Sequence, residues 1–160
     1  MRKITLDEGN TSVKLALFDN DILVSKYNNI DLNFVIKLLP KCDRLILSTV
    51  KNKSNFETLF SNKNFVLLNN STPLPIKVLY KSPTSLGNDR IALAVGAITN
   101  FPNKNVLVID AGTCITYDFI NYKKEYLGGS ISPGIKMRYS ALHQFTSQLP
   151  LLDSVDAAVL

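Results

Sequence analysis

Residues 3–18 read KITLDEGNTSVKLALF and residues 106–120 read VLVIDAGTCITYDFI, and these two stretches decide the fold. In both, an apolar, β-branched run ends in Asp, then any residue, then Gly and a small polar residue. A second β-like run follows at once. Asp7 matches Asp110, Gly9 matches Gly112, and Asn10 stands opposite Thr113, each pair 103 residues apart. A strand–Asp-x-Gly-polar–strand unit is a hairpin whose tip favours Gly, because the backbone there turns tightly and approaches something closely. Two such tips, each with one carboxylate and several free backbone N–H groups, can hold phosphates and their metal. For either tip alone a plain Gly-turn hairpin is an equally good reading. The repetition favours a duplicated nucleotide-phosphate clamp.

Working outward, the first copy shows strands near 2–7, 12–18 and 22–29. A helix opened by Asp31 as N-cap runs through Phe34, Val35, Leu38 and Leu39 and stops at Pro40. The apolar run RLILSTV at 44–50 suits a strand buried on both faces. A short helix near 54–61, strands at 64–68 and 76–80, and a helix over 89–100 with Ile91, Leu93, Val95 and Ile98 inward complete it. The second copy has strands at 105–110, 114–120 and 125–132. Ser132-Pro133-Gly134 then breaks the chain before a helix over 135–148, with Ile135, Leu142, Phe145 and Leu149 on one face. The chain is expected to divide into residues 1–103 and 104–160. A second copy of full length would end near about residue 205, so it reads as incomplete, and the apolar 157–160 look like the start of a further element.

The chain has 160 residues, 46% hydrophobic and 19% charged, which is the composition of a soluble globular protein with a real core. No apolar run approaches the roughly 18 residues of a membrane span, and MRKITLDEGN enters a strand directly without the apolar stretch of a signal peptide. Two cysteines and no export signal predict reduced thiols and a cytoplasmic protein. The net charge of +5 is spread over scattered lysines with no basic stripe, which reads as an ordinary Lys- and Asn-rich surface and not a nucleic-acid one, and would also favour anionic small substrates.

Three motifs carry chemistry. At the first tip, Gly9, Asn10 and Thr11 offer N–H groups and short polar side chains that can wrap a triphosphate. Asp7 sits where Mg²⁺ or its bound water could be held, and Lys14 could offset phosphate charge. The spacing is neither a Walker motif nor a dinucleotide fingerprint. Gly87-Asn88-Asp89-Arg90 opens a helix with Asn88 as the expected N-cap. Asp89 there is either an ordinary first-turn acid or the acceptor of an attacking hydroxyl's proton, with Arg90 binding an anion. His143, the only histidine, reads as solvated, and Tyr80 as core or pocket lining.

In register, these motifs resemble type III pantothenate kinase, a family of the superfamily of acetate and sugar kinases, actin and chaperone ATPases. Its Asp-x-Gly-Asn-Thr-x-x-Lys start stands here at 7–14, its Gly-x-Asp-Arg at 87–90 and its Asp-x-Gly-Thr at 110–113. EYLGGSISPGI at 125–135, Thr146, and Leu149-Pro150 are similar to the family too. The resemblance implies an α/β, duplicated ribonuclease H-like (actin-like ATPase) fold, with a mixed sheet flanked by helices and the second copy incomplete. It implies ATP-dependent phosphorylation of pantothenate to 4'-phosphopantothenate, in the first step of coenzyme A biosynthesis. Asp7, Gly9, Asn10, Thr11, Lys14 and Thr113 would bind ATP, with Mg²⁺ at Asp7 directly or through water. Tyr80, Gly87, Asn88 and Arg90 would contact pantothenate, and Asp89 would accept the proton of its primary hydroxyl. Asp110 would ligate a monovalent cation, K⁺ or NH₄⁺, and the protein would be a homodimer. Glu8 replaces an apolar residue of the family and is expected to put extra negative charge beside the first tip. Cys114 replaces a small one, and a further substrate-contacting threonine of the family lies beyond residue 160. The alternatives are a non-catalytic nucleotide-binding relative, acting as regulator or partner subunit, and a sister kinase or phosphatase with another small substrate.

Overall fold

Alternation builds the first sheet. In β1 (Arg2–Glu8), Ile4, Leu6 and Glu8 are buried while Lys3, Thr5 and Asp7 are half-buried, the period of two that sends successive side chains to opposite faces. β2 (Val13–Asp19) and β3 (Ile22–Asn28) continue as an antiparallel meander. β4 (Arg44–Thr49) and β5 (Phe65–Leu67) add in parallel on the other side of β1, giving the order β3-β2-β1-β4-β5. This is a computed structural model, and it describes residues 1–51, 53–61, 64–69, 71–82 and 85–152.

One face of that sheet carries the core of the first unit. α1 (Leu32–Leu38) opens on Asp31, whose carboxylate accepts the Phe34 N–H at 2.8 Å, as an N-cap should. It tightens into a 3₁₀ turn, Leu39–Lys41, at Pro40. The helix expected near 54–61 is a 3₁₀ segment, Asn55–Ser61; Ser54 Oγ takes the Phe56 N–H at 3.1 Å, a local bond that competes with a regular helix. Val35, Phe56 and Leu59 pack with Ile4, Leu6, Leu15, Leu45 and Leu47. Each such side chain stabilises by roughly 1.5–3 kcal/mol on burial.

The chain forms two compact units, Met1–Pro75 with Lys81–Val95, and Ile76–Tyr80 with the residues from Gly96 onward. In the second, β7 (Val106–Ala111), β8 (Cys114–Ile120) and β9 (Glu125–Pro133) repeat the antiparallel meander. β6 (Lys77–Val78) lies parallel to β9, so the order is β6-β9-β8-β7. The strand expected at 76–80 is therefore short and serves the second sheet, tied by Lys77 N–H to Lys124 O and Leu79 N–H to Tyr126 O, both 2.9 Å. Tyr126 and Asp118 are buried, and the tyrosine hydroxyl donates to the carboxylate at 2.5 Å.

The helices depart from expectation in two places. α2 (Asn88–Asn100) buries Ile91, Ala94, Ala97 and Ile98, while Leu93 and Val95 are half-buried. Asn88 is its first residue and not its cap, since the Ile91 N–H already bonds Gly87 O at 3.2 Å. α3 (Ile135–Phe145) ends before the expected 148, where Thr146 turns extended and its hydroxyl donates to Leu142 O at 2.7 Å. No α3 residue is buried: Ile135, Leu142 and Phe145 are 57%, 49% and 80% exposed, because nothing among the described residues covers their face. Residues 157–160 lie outside the described residues.

Candidate active site

The register of β1 determines what surrounds Asp7. Asp7 stands opposite Lys14 on β2 and opposite Ser48 on β4, so the three lie in a row on one face of the sheet. Asp7 is half-buried and Lys14 exposed, whereas Ser48 is buried. Beyond the strand end the Gly9 N–H bonds Ser12 O at 3.1 Å and closes a four-residue turn. Asn10 and Thr11 are exposed on it.

The tip glycines are not demanded by the fold. Neither Gly9 nor Gly112 has a positive φ, and a Cβ would meet only Ser12 O at 3.4 Å or Cys114 O at 3.8 Å, ordinary contacts. The turn at either tip therefore does not require glycine. Close approach of something outside the chain still accounts for glycine at both.

Glu8 does not crowd the first tip. As the neighbour of Asp7 in a strand it points to the opposite face, where it is 3% exposed. There the Thr49 hydroxyl donates to it at 2.7 Å and the Lys51 ammonium sits 3.1 Å away. Burial pushes the Glu8 carboxyl up, but hydrogen bonds from Ser54, Thr49 and Lys51, with the Lys51 charge, outweigh it and hold the group below its ordinary value.

Gly87, Asn88, Asp89 and Arg90 form the second cluster of the first unit. The Asp89 carboxylate folds back and accepts the Arg90 N–H at 2.8 Å. Its Oδ1 would lie 2.4 Å from a Cβ at position 87, so glycine there makes room for this carboxylate. Asn88 and Asp89 are half-buried at the helix start, where the dipole favours an anion, and Arg90 is 5% exposed.

Tyr80, Asp110 and Thr113 belong to the second unit. The Tyr80 ring lies against Gly128, the one described glycine with positive φ (108°), where a Cβ would come within 3.1 Å of it. It also meets Tyr126 at 6.3 Å between centroids, tilted by 58°. Asp110 is exposed and stands opposite Thr116 on β8, whose hydroxyl is buried and meets no hydrogen-bond partner among the described residues. The second tip turns one residue sooner than the first, Gly112 N–H to Cys114 O at 2.9 Å, and is clasped from below by the Gly134 N–H to Thr113 O at 3.1 Å. His143 is exposed, with Nδ1 2.8 Å from Leu149 O.

Ser48, Thr116 and Gly134 were not singled out from the sequence. Ser48 and Thr116 interrupt apolar or β-branched runs with a hydroxyl, which is a usable signal once register is known. Chemically, each unit offers hard oxygen ligands suited to phosphate or its cation, and among the described residues His143 bonds Leu149 O and no cysteine or serine. Among the described residues no group of three His, Cys, Asp or Glu could hold a metal by itself.

Duplicated strand–tip–strand units in two mixed sheets with flanking helices define an actin-like ATPase and sugar-kinase class of fold. A Sinorhizobium meliloti protein described as a 2-dehydro-3-deoxygalactonokinase matches 90% of this chain and 57% of its own at TM-score 0.52 and 11% identity, a likeness of fold alone. A Campylobacter jejuni protein described as a conserved Baf family transcriptional activator matches 96% of this chain and 66% of its own, at TM-score 0.55 and 26% identity. The type III pantothenate kinase family pattern matches residues 3–159. Type III pantothenate kinases of Flavobacterium johnsoniae and Bacteroides fragilis are 40% and 43% identical over 93% of this chain and 64% of their own length. The chain belongs to the type III pantothenate kinase family. It spans 64% of the length of those curated relatives.

Proposed function

We propose that this chain carries the phosphate- and substrate-binding residues of an ATP-dependent pantothenate kinase, which makes 4'-phosphopantothenate for coenzyme A biosynthesis. The observation that carries the reading is the three family motifs in order, on two tips and a helix start, within a chain of that family. Gly9, Asn10, Thr11 and Thr113 bind the phosphates of ATP, and Lys14 offsets their charge. Gly87, Asn88, Arg90 and Tyr80 position pantothenate. Asp89 accepts the proton of the primary hydroxyl as its oxygen bonds the γ-phosphorus and the bond to the ADP oxygen breaks. Phosphoryl transfer depends chiefly on positioning and charge, so an ordinary carboxylate suffices as base.

A divalent cation fits the Asp7 face. One carboxylate beside a buried hydroxyl suits Mg²⁺, which keeps most of its waters and leans on substrate phosphates. Bound there, it would neutralise charge developing on the phosphates. Asp110 with Thr116 offers the oxygen set for K⁺ or NH₄⁺. We further read the protein as a cytoplasmic homodimer; no described helix is long and apolar enough to cross a membrane. The charge of Glu8 is paired on the face opposite Asp7 and so lends no support to a non-catalytic relative.

Asp89→Asn tests the reading, since the amide oxygen can still accept the Arg90 N–H. Pantothenate-dependent ADP release should fall about 10²–10⁴-fold while ATP affinity and thermal midpoint hold. Full turnover in this variant would remove Asp89 as the base.

A further inference from the structure

Ser48 is the feature of the first unit that its fold does not explain. The hydroxyl stands at the end of β4 with 7% of the residue exposed, and Oγ meets no hydrogen-bond partner among the described residues. Leaving such a group unpaired costs about 1–3 kcal/mol. Alanine would avoid that penalty at little loss of packing. The parallel register sets Ser48 beside Asp7 and on the same face, with Lys14 on the far side of Asp7. A buried hydroxyl in a row with a carboxylate and an ammonium is placed to meet a hydrated cation or a phosphate. In the second unit a hydroxyl also stands beside the tip aspartate, but from the hairpin partner strand, where the first unit has Lys14: Thr116 is opposite Asp110, and its Oγ1 is buried and unpaired among the described residues.

We propose that Ser48 is a second protein ligand of the first tip, its hydroxyl bonding a water of the divalent cation that enters with ATP at Asp7. This rests on the ATP-binding reading given above. A single carboxylate ligand can take a hydrated cation in several orientations, and a second oxygen on the neighbouring strand selects one. The hydroxyl's role is to orient that water shell, and no covalent step passes through it.

The test uses Ser48→Ala in the full chain, with three readouts: ligand-free thermal midpoint, affinity for ATP with Mg²⁺, and affinity for ATP with chelator. The expected result is an unchanged or slightly raised midpoint, about 3–10-fold weaker Mg²⁺·ATP binding, and unchanged metal-free ATP binding. A lowered midpoint with Mg²⁺·ATP affinity intact makes the hydroxyl a seat for a fixed structural water and overturns the proposal. Equal weakening with and without Mg²⁺ means a direct phosphate contact and overturns it too. If the wild-type chain binds ATP under neither condition, the proposed function fails and takes this inference with it.

Discussion

Gly134→Ala is the most exacting perturbation of the second tip. Gly134 has φ −68° and ψ 170°, a conformation that any residue adopts, so alanine brings no backbone strain of its own. The obstacle is space. A Cβ there would stand 2.3 Å from Gly112 O, 2.4 Å from Thr113 O and 2.9 Å from Thr113 C. Real Cβ contacts essentially never fall below 3.0 Å, so the worst one must open by at least 0.7 Å. All three atoms are backbone of the tip, so no side chain can swing aside.

Either the start of α3 retreats or the tip does, and both lengthen the 3.1 Å bond from Gly134 N–H to Thr113 O. Overpacking of this kind costs about 1–3 kcal/mol, which corresponds to a fall of about 4–24 °C in midpoint for a unit of this size. The same displacement moves Thr113, which we propose contacts ATP, and a shift near 1 Å can cost up to about 10²-fold. Thermal melts with and without Mg²⁺·ATP, and a titration of nucleotide affinity, measure both effects. Gly112→Ala is the control: its Cβ would meet only Cys114 O at 3.8 Å, so the ligand-free midpoint should not move. A Gly134→Ala protein with wild-type midpoint and wild-type affinity would refute the claim that Gly134 sets the height of the tip.

Two more expectations follow from buried polar groups. Glu8→Gln should destabilise the ligand-free chain by about 1–2 kcal/mol at pH 7, a value discounted because Lys51 is 44% exposed. The Glu8 carboxyl titrates lower in the folded chain than its ordinary 4.5, so its contribution is present above that pH and fades as pH falls through the folded value. The wild-type advantage should therefore vanish in acid, and a difference that persists unchanged to pH 2 would contradict the pairing. Thr116→Val should leave the ligand-free midpoint unchanged or raise it, and should reduce stimulation of turnover by K⁺ over Na⁺ several-fold. A lowered midpoint with the K⁺ response intact would assign that hydroxyl to the fold.

What the sequence made legible was local. Asp7-x-Gly9 and Asp110-x-Gly112 stand out because turn chemistry is written in adjacent residues, and both meanders fall where the alternating runs place them. Asp31 was readable as a cap for the same reason. What escaped depends on register or on neighbours distant in sequence. Glu8 could have been turned away from Asp7 by alternation alone, but its partner Lys51 is brought to it only when β4 docks on β1. Likewise, nothing in RLILSTV says which hydroxyl faces Asp7; a slip of one residue between β1 and β4 would have presented Thr49 instead of Ser48. The apolar stripe of α3 illustrates the opposite failure. A helical period of apolar residues states that a face is fit to be covered, not that anything in the same stretch covers it, and Phe145 stands 80% exposed. The same distinction separates the two kinds of glycine here. Gly9 and Gly112 look indispensable in sequence yet leave room for a methyl group, whereas Gly134, passed over as a chain break, has none. A glycine that the fold does not need, repeated at both tips, fits the proposed phosphate contact; Gly134, with no room for a methyl group, fixes the second tip against the start of α3.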